Sequence, residues 1–362
     1  MKKIRAAALF LCLTFIFSGC GAAFVKKDSL VFIENETDEN SGILTLEVTS
    51  FTDEAHALLL YYDPELKAGI YTERDTSGAK PVSYLYLYDE NGEQLLFSGA
   101  NAYTYAYIDP YDKSIYFKEY DQNEASAALY KTDFSVSSKT LVTMVSENRA
   151  LPCAAAEGAV VYVDSVNNII LEKDGKSNIV ISLLESSTVK KIAYSPTNNV
   201  ITALVSISQR SSILYLVNAE NGELTQLDAG VSDFSHEEKQ NKLYYVKSAG
   251  GSDQLYAYNY QAALRSLLYT GSIDRFSVSP KGSYVAFCTR ATVDSPGQSV
   301  WLLTISNRTA VQMTANTAIA GSMYFASGKR LLFSEIDTHN PNTAYITKNL
   351  EFKLVYSDKE KK

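Results

Sequence analysis

The feature that most limits what this chain can become is a strand, a turn and a second strand that recur at a nearly fixed interval. The clearest copy is FSVSPKGSYVAFCTR at 276–290. Aligning the strand after the turn gives KAGIYTE around Tyr71, KSIYFKE around Phe117, AVVYVDS around Tyr162, NVITALVS around Ala203, KLYYVKS around Tyr245, SYVAFCT around Phe287 and RLLFSEI around Phe333. Successive gaps are 46, 45, 41, 42, 42 and 46 residues. A repeat of this length is one supersecondary unit that cannot bury its apolar faces alone and must stack on copies of itself.

The turns have a mechanism. Asp63-Pro64, Asp109-Pro110, Ser195-Pro196 and Ser279-Pro280 precede four of the copies; Pro fixes its own φ, and Asp or Ser hydrogen-bonds the local backbone. FSHEEKQNK fills the slot in copy five and FASGKR in copy seven, and CAAAEGA in copy three is the weakest match. Downstream, a third strand places a bulky residue at a corresponding point: Tyr86, Tyr130, Ile170, Tyr215, Tyr256, Trp301 and Tyr345. A polar turn and a fourth apolar run follow, clearest in YLYLYDENGEQLLF (84–97) and ILYLVNAENGELTQL (213–227), where Asn-Gly is expected to supply the positive-φ pair of a tight hairpin. Alternation in YLYLY and LYAYN has the period of two of stacked sheets. Four short strands per unit, seven times, without a long helical pattern, predict an all-β fold: a β-propeller of seven four-stranded blades. LVFIENETDENSGILTLEVTS (30–50) is left over as two strand-like runs, which either pair with the last blade to close the circle or begin an eighth, partial blade.

The run SPKGSYVAF at 279–287 resembles the core of the TolB-like, WD40-like propeller repeat, whose consensus is close to S-P-D-G-x-x-I-A-F. The resemblance extends over about residues 55–358 and implies a propeller with a habit of protein binding. It implies no catalytic residue, because the repeat motif is structural. LYLVNAENGELTQL is also similar to quinoprotein-type repeats of propeller lipoproteins, but their Trp after the Gly-containing turn is missing: the single Trp301 sits in a third strand.

Ahead of the repeats lie basic MKKIR, the apolar stretch Ala6–Phe17 and FSGC at 17–20. Twelve residues fall short of the roughly 20 that cross a bilayer and suit the central region of an export signal. FSGC resembles the bacterial lipoprotein signal box, with Phe17 where Leu is usual. That resemblance implies cleavage before Cys20 and lipidation of Cys20, which would become the first residue, and two or three acyl chains anchor stably where one is marginal. The expected organisation is a signal peptide at 1–19, a tether at 20–29, extra strands at 30–50, the propeller at 51–358 and a charged tail at 359–362. The expected address is the outward-facing surface of a bacterial cell membrane.

Charge excludes one class of partner. Removing residues 1–19, which carry Lys2, Lys3 and Arg5 and no acid, takes the net charge from −8 to −11. An acidic body without a basic block repels phosphate backbones, so nucleic acid is not expected.

No motif assembles a reaction. His56, His236 and His339 lack a second His or Cys at ligand spacing and read as surface or turn residues. HEEKQ at 236–240 ends in Gln240 where a zinc-protease motif needs His. DGKS at 174–177 lacks the earlier glycine of a phosphate loop, Ile170 standing there. No G-x-S-x-G is present. The acidic turns ENETDEN (34–40), YDENGE (88–93) and YDQNE (120–124) miss the spacing of a calcium loop. Cys153 and Cys288, 135 residues apart in strand patterns, read as small buried hydrophobes rather than a disulfide. Most of the 26 tyrosines fall at alternating strand positions and read as packing residues. No catalytic residue, cofactor or metal is therefore expected. The reading is a lipid-anchored, extracytoplasmic scaffold for an envelope protein or peptide. The alternatives are a glycan-binding or glycan-cleaving propeller and a ligand-sensing lipoprotein. An enzyme would gather ionisable groups at one mouth of the channel; a scaffold would expose an apolar or aromatic patch on a blade-end face.

Overall fold

The computed structural model describes residues 43–136, 138–145, 153–208, 211–291, 297–337 and 345–357. The signal sequence, Cys20, the tether, the acidic turn at 34–40, His339 and the tail at 359–362 lie outside the described residues. Seven four-stranded antiparallel sheets are formed, and the one helical element among the described residues is a 3-10 turn, Glu238–Gln240. Six blades are consecutive in sequence. Their first strands are Leu58–Asp63, Ala102–Asp109, Cys153–Ala156, Thr188–Ser195, Val231–Glu237 and Arg275–Val278. The seventh blade begins with Ile319–Ser327. Each first strand contacts those of both neighbouring blades, the seventh touching the first, so the sheets close a ring with the first strands innermost.

The leftover N-terminal segment has a defined place. Ile43–Ala55 is one strand, paired with Tyr345–Ser357, and it supplies the outermost strand of the last blade. The ring therefore begins at Ile43 rather than at residue 51. The last blade has three strands of its own, Ile319–Ser327, Arg330–Ile336 and Tyr345–Ser357, and takes its fourth from the start of the chain. A buried relay pins this seam: Thr347 Oγ1 donates to the Ala57 carbonyl at 2.7 Å, Ser334 and Thr347 hydroxyls lie 2.9 Å apart, and Leu59 N–H donates to Ser334 Oγ at 2.9 Å.

The aligned columns are cross-strand neighbours. Tyr71 pairs with Tyr86, Phe117 with Tyr130, Tyr162 with Ile170, Ala203 with Tyr215, Tyr245 with Tyr256 and Phe287 with Trp301. The last blade departs: Tyr345 faces Ile336, and Lys348 lies opposite Phe333. A lysine fits there because the N-terminal strand brings Asp53 to its ammonium group and Phe51 beneath it, 5.8 Å from ring centre to Nζ. In blades one to five a register shift falls beside the third-strand column residue, where the outer strand bulges and gains twist.

The Asn-Gly turns also differ from expectation. Only the glycines have positive φ, Gly92 at 109° and Gly222 at 72°. The Asp89 and Asn218 side chains accept the Asn91 and Glu220 N–H groups, which holds each turn so that the asparagine keeps an ordinary φ. The core lies between blades. Leu85 and Leu87 of blade one share a cluster with Ile115 and Phe117 of blade two, and Val246 and Leu255 of blade five share one with Val285 and Phe287 of blade six. Each such side chain, fully buried, contributes about 1.5–3 kcal/mol, and no blade can collect this alone.

Candidate functional site

The inner wall of the ring is built by one register. The second-strand residues Ile70, Tyr116, Val161, Thr202, Tyr244, Ala286 and Leu332 pair with Tyr61, Tyr107, Ala154, Ala193, Ser235, Ser277 and Tyr324. Blades seven, one and two thus carry tyrosine at the level where blades three to six carry alanine or serine. The rings touch across blades: Tyr61 and Tyr107 are 4.7 Å apart between centroids, and Tyr61 and Tyr324 are 5.6 Å apart. Tyr324 donates its hydroxyl to the Leu60 carbonyl, and Tyr105 donates to the Cys153 carbonyl at 2.7 Å. Burial drives the Tyr61, Tyr105 and Tyr107 phenols well above their ordinary value and Tyr324 to about 12, so these phenols stay neutral; Lys118 Nζ lies over the Tyr105 ring at 4.9 Å.

The mouth formed by the first-to-second turns gathers ionisable groups, the arrangement expected of an enzyme, but most are spent on structure. Asp63 Oδ1 accepts from Glu65 N–H at 2.9 Å and Leu66 N–H at 2.8 Å. Asp109 accepts from Tyr111 N–H and, across the blade boundary, from Gly158 N–H at 2.8 Å. Ser195 and Ser279 cap their turns in the same manner. The longer turn of blade five ties into three others. Glu238 Oε1 accepts from Thr197 N–H at 2.8 Å, Lys239 pairs with Glu65 of blade one, and Gln240 packs on Gly282 of blade six. A Cβ at Gly282 would lie 1.7 Å from Gln240 Oε1, and its φ of 59° is the left-handed region.

His236 is not the surface residue expected from sequence. Its side chain is 8% exposed, Nε2 is 3.3 Å from Glu238 Oε2, and the ring meets Tyr260 edge-on at 5.5 Å. Burial lowers its pKa, and Glu238 pulls in the opposite direction. Glu237, in the slot that Asp63 and Asp109 occupy, caps nothing: no side-chain partner is found among the described residues, and burial raises its carboxyl to about 8. Among the described residues no nucleophile–base pair joins it. The free thiols of Cys153 and Cys288 are pushed by burial to about 11, and neither is a thiolate at neutral pH. His56 is exposed between the N-terminal strand and blade one. Among the described residues no group of three or more His, Cys, Asp or Glu is placed to hold a metal.

The opposite face carries the second-to-third loops and the links between blades. Lys191 and Asp233 join blades four and five there at 2.8 Å. Val166 and Leu184, 64% and 72% exposed, stand on two blade-three loops joined by Asn167 Nδ2 donating to the Leu184 carbonyl at 2.8 Å. Beside them is a hollow of about 80 Å³ lined by Asp164, Asn167, Glu185 and Ser187. Ile207 of blade four and Ile336 of blade seven are exposed at the same ends of their second strands. Sequence reasoning missed the tyrosine wall and Glu237. The signal was present as a fixed offset: Tyr61, Tyr107, Ala193 and Ser277 each stand two residues before the Asp or Ser of the turn.

No family model and no curated protein matches the sequence. Solved structures do match in shape. An oligogalacturonate lyase from Vibrio parahaemolyticus aligns with a TM-score of 0.61 at 10% identity, over 86% of this chain and 98% of its own. A prolyl endopeptidase aligns with a TM-score of 0.62 at 10% identity, over 84% of this chain and 50% of its own. The Cps50 (Swd1) β-propeller domain of Myceliophteria thermophila aligns with a TM-score of 0.57 at 11% identity, over 84% and 99%. TolB from Acinetobacter baumannii is also matched, at a TM-score of 0.48 and 14% identity, over 79% and 81%. At these identities the likeness to the first three shows the fold alone, a β-propeller.

Proposed function

We propose that the chain is a lipid-anchored, extracytoplasmic propeller that binds a protein or peptide partner at the bacterial cell envelope and performs no catalysis. The anchor reading is supported by the sequence MKKIR, the apolar stretch 6–17 and FSGC ending in Cys20. One structural observation carries the binding reading: Val166, Leu184 and Ile207 stand exposed on one face of adjacent blades. Apolar side chains grouped on a blade-end face lose free energy to water that a docked partner recovers. A second reading, ligand binding in the channel by a glycan binder or sensor, is favoured by the wall of Tyr61, Tyr107 and Tyr324. Aromatic faces and hydroxyls suit sugars as well as peptides.

A photo-crosslinking residue at Leu184, installed in the cell, tests the first reading. Its expected product is a discrete membrane or envelope protein, absent when the residue is placed at exposed Lys353 on the rim. A probe that recovers lipid alone, with a saccharide hit on a glycan array, overturns the scaffold. Metabolic acyl labelling tests the anchor: wild type incorporates label and Cys20→Ser does not. Label that persists in Cys20→Ser, or never enters wild type, refutes lipidation.

A further inference from the structure

The repeat is broken at one place on the rim. In blades one to five the fourth strand bulges against the third beside the column residue. In blade six the fourth strand is only Thr309–Gln312, beyond which the Met313 and Thr314 N–H groups both donate to the Val300 carbonyl, and the column residue is the chain's single tryptophan. Four residues cover less of the third strand than the six to eight of the other consecutive blades. A groove of about 330 Å³ opens there between blades five and six, lined by Leu268, Tyr269, Thr270, Trp301, Arg308 and Thr309. It is outside the channel and away from the face bearing Leu184.

The chemistry of the lining is one-sided. Trp301 Nε1 is shut from solvent and has no acceptor. Arg308, exposed and held at a φ of 58°, has no ion-pair or hydrogen-bond partner for its guanidinium among the described residues. No carboxylate lines the groove, in a chain whose net charge is −8. The exposed guanidinium donates only and carries a positive charge, so the matching ligand offers acceptors and a negative charge. A neutral saccharide is a poor match, because its hydroxyls also need acceptors and the side chains here offer only threonine and tyrosine oxygens. Apolar contact is available alongside: Leu268 and Tyr269 within the groove, with Leu264 and Leu267 exposed along the open edge of the same strand. An open strand edge offers backbone groups to an extended chain.

We propose that this groove is a peptide site that takes an acidic side chain against Arg308 and Trp301 and a neighbouring apolar side chain against Leu268 and Tyr269. The inference rests on the reading of the chain as a protein- or peptide-binding module and names the chemistry of one segment it binds.

Because Trp301 is the only tryptophan, its emission reports on this groove alone. The probes are acetylated hexapeptides pairing Glu or Asp with Leu, Ile, Val or Phe, arrayed beside their Gln and Asn counterparts. The strongest is then titrated into the full chain in detergent. The expected result is a saturable change in tryptophan emission, about tenfold weaker or more for the Gln counterpart. Arg308→Gln is expected to abolish the preference for Glu over Gln while leaving the urea midpoint in place, since Arg308 is exposed and unpaired. The proposal is overturned if no peptide binds, if binding leaves Trp301 emission unmoved, or if Arg308→Gln keeps the acidic preference. An equal response to glucuronate also overturns it, in favour of a saccharide. If Arg308→Gln still crosslinks its partner through Leu184 and no peptide responds, the scaffold stands and the groove assignment falls. If the peptides respond and no envelope partner is captured, the groove stands and the scaffold reading falls.

Discussion

Glu237 is an acid whose buried environment works against its ordinary ionisation. Burial raises its carboxyl from 4.5 to about 8 in the fold, so between those limits the folded state holds a proton that the unfolded chain has released. Linkage then requires stability to fall as pH rises from about 5 to about 8, by at most about 5 kcal/mol. Glu237→Gln removes that titration. Urea midpoints measured from pH 5 to pH 8 are expected to decline in wild type and to flatten in the variant, which becomes the more stable of the two at pH 8. Parallel slopes would show that Glu237 ionises freely. Gly222 is constrained from two sides: its φ is 72°, and a Cβ there would lie 2.3 Å from the Val180 carbonyl oxygen of the neighbouring blade. Gly222→Ala is expected to cost about 1–3 kcal/mol, more than Gly175→Ala, where φ is 70° but nothing lies within reach of the added methyl. The difference between the two, measured by urea unfolding, isolates the contribution of blade packing from that of backbone strain.

At the scale of strands, the molecule depends on one element that is distant in sequence from its partners. Ile43–Ala55 covers the outer edge of Tyr345–Ser357 and carries the ion pairs Glu54–Arg330, at 2.8 Å, and Glu47–Lys353, at 2.9 Å. A chain beginning at residue 56 is expected to lose its single cooperative melt and to self-associate in size-exclusion chromatography, because the last blade is left with a bare edge and half-covered Leu350 and Phe352. A synthetic peptide of residues 43–55 is expected to restore the single cooperative melt; failure to do so would place the strand's role in folding rather than in the finished ring. Most of the blades were legible in the sequence, because the second-strand and third-strand columns are set by the local period of two and by turns with their own chemistry. The closure was only half legible. Two apolar runs before the first copy signalled spare strands, but pairing across about 300 residues leaves no local trace. For the same reason Tyr345, an aromatic at a plausible spacing, stood in for Lys348, whose burial makes sense only once Asp53 is beside it. The inner wall was legible as an offset from Asp63 and Asp109 but not as a wall, since contact among Tyr61, Tyr107 and Tyr324 requires the ring to be shut.

For the whole molecule, closure by the first strand determines where a lipid anchor can pull. Ile43 pairs with Ser357, so both ends of the described chain leave from the outer rim of the last blade rather than from either mouth of the channel. A segment of 23 residues, the length from Cys20 to Gly42, spans at most about 80 Å when fully extended. If Cys20 is lipidated as proposed, the anchor would concentrate the propeller near the membrane. Under the proposed anchor, deleting residues 26–38 removes 13 of those residues and shortens the longest reach between lipid and ring. The expected outcome is that crosslinking through Leu184 to a membrane-embedded partner falls several-fold, while peptide binding monitored at Trp301 is unchanged in detergent. Equal loss of both would mean that the segment acts on the fold. Equal retention would mean that the partner is soluble and reaches the blade-end face from outside.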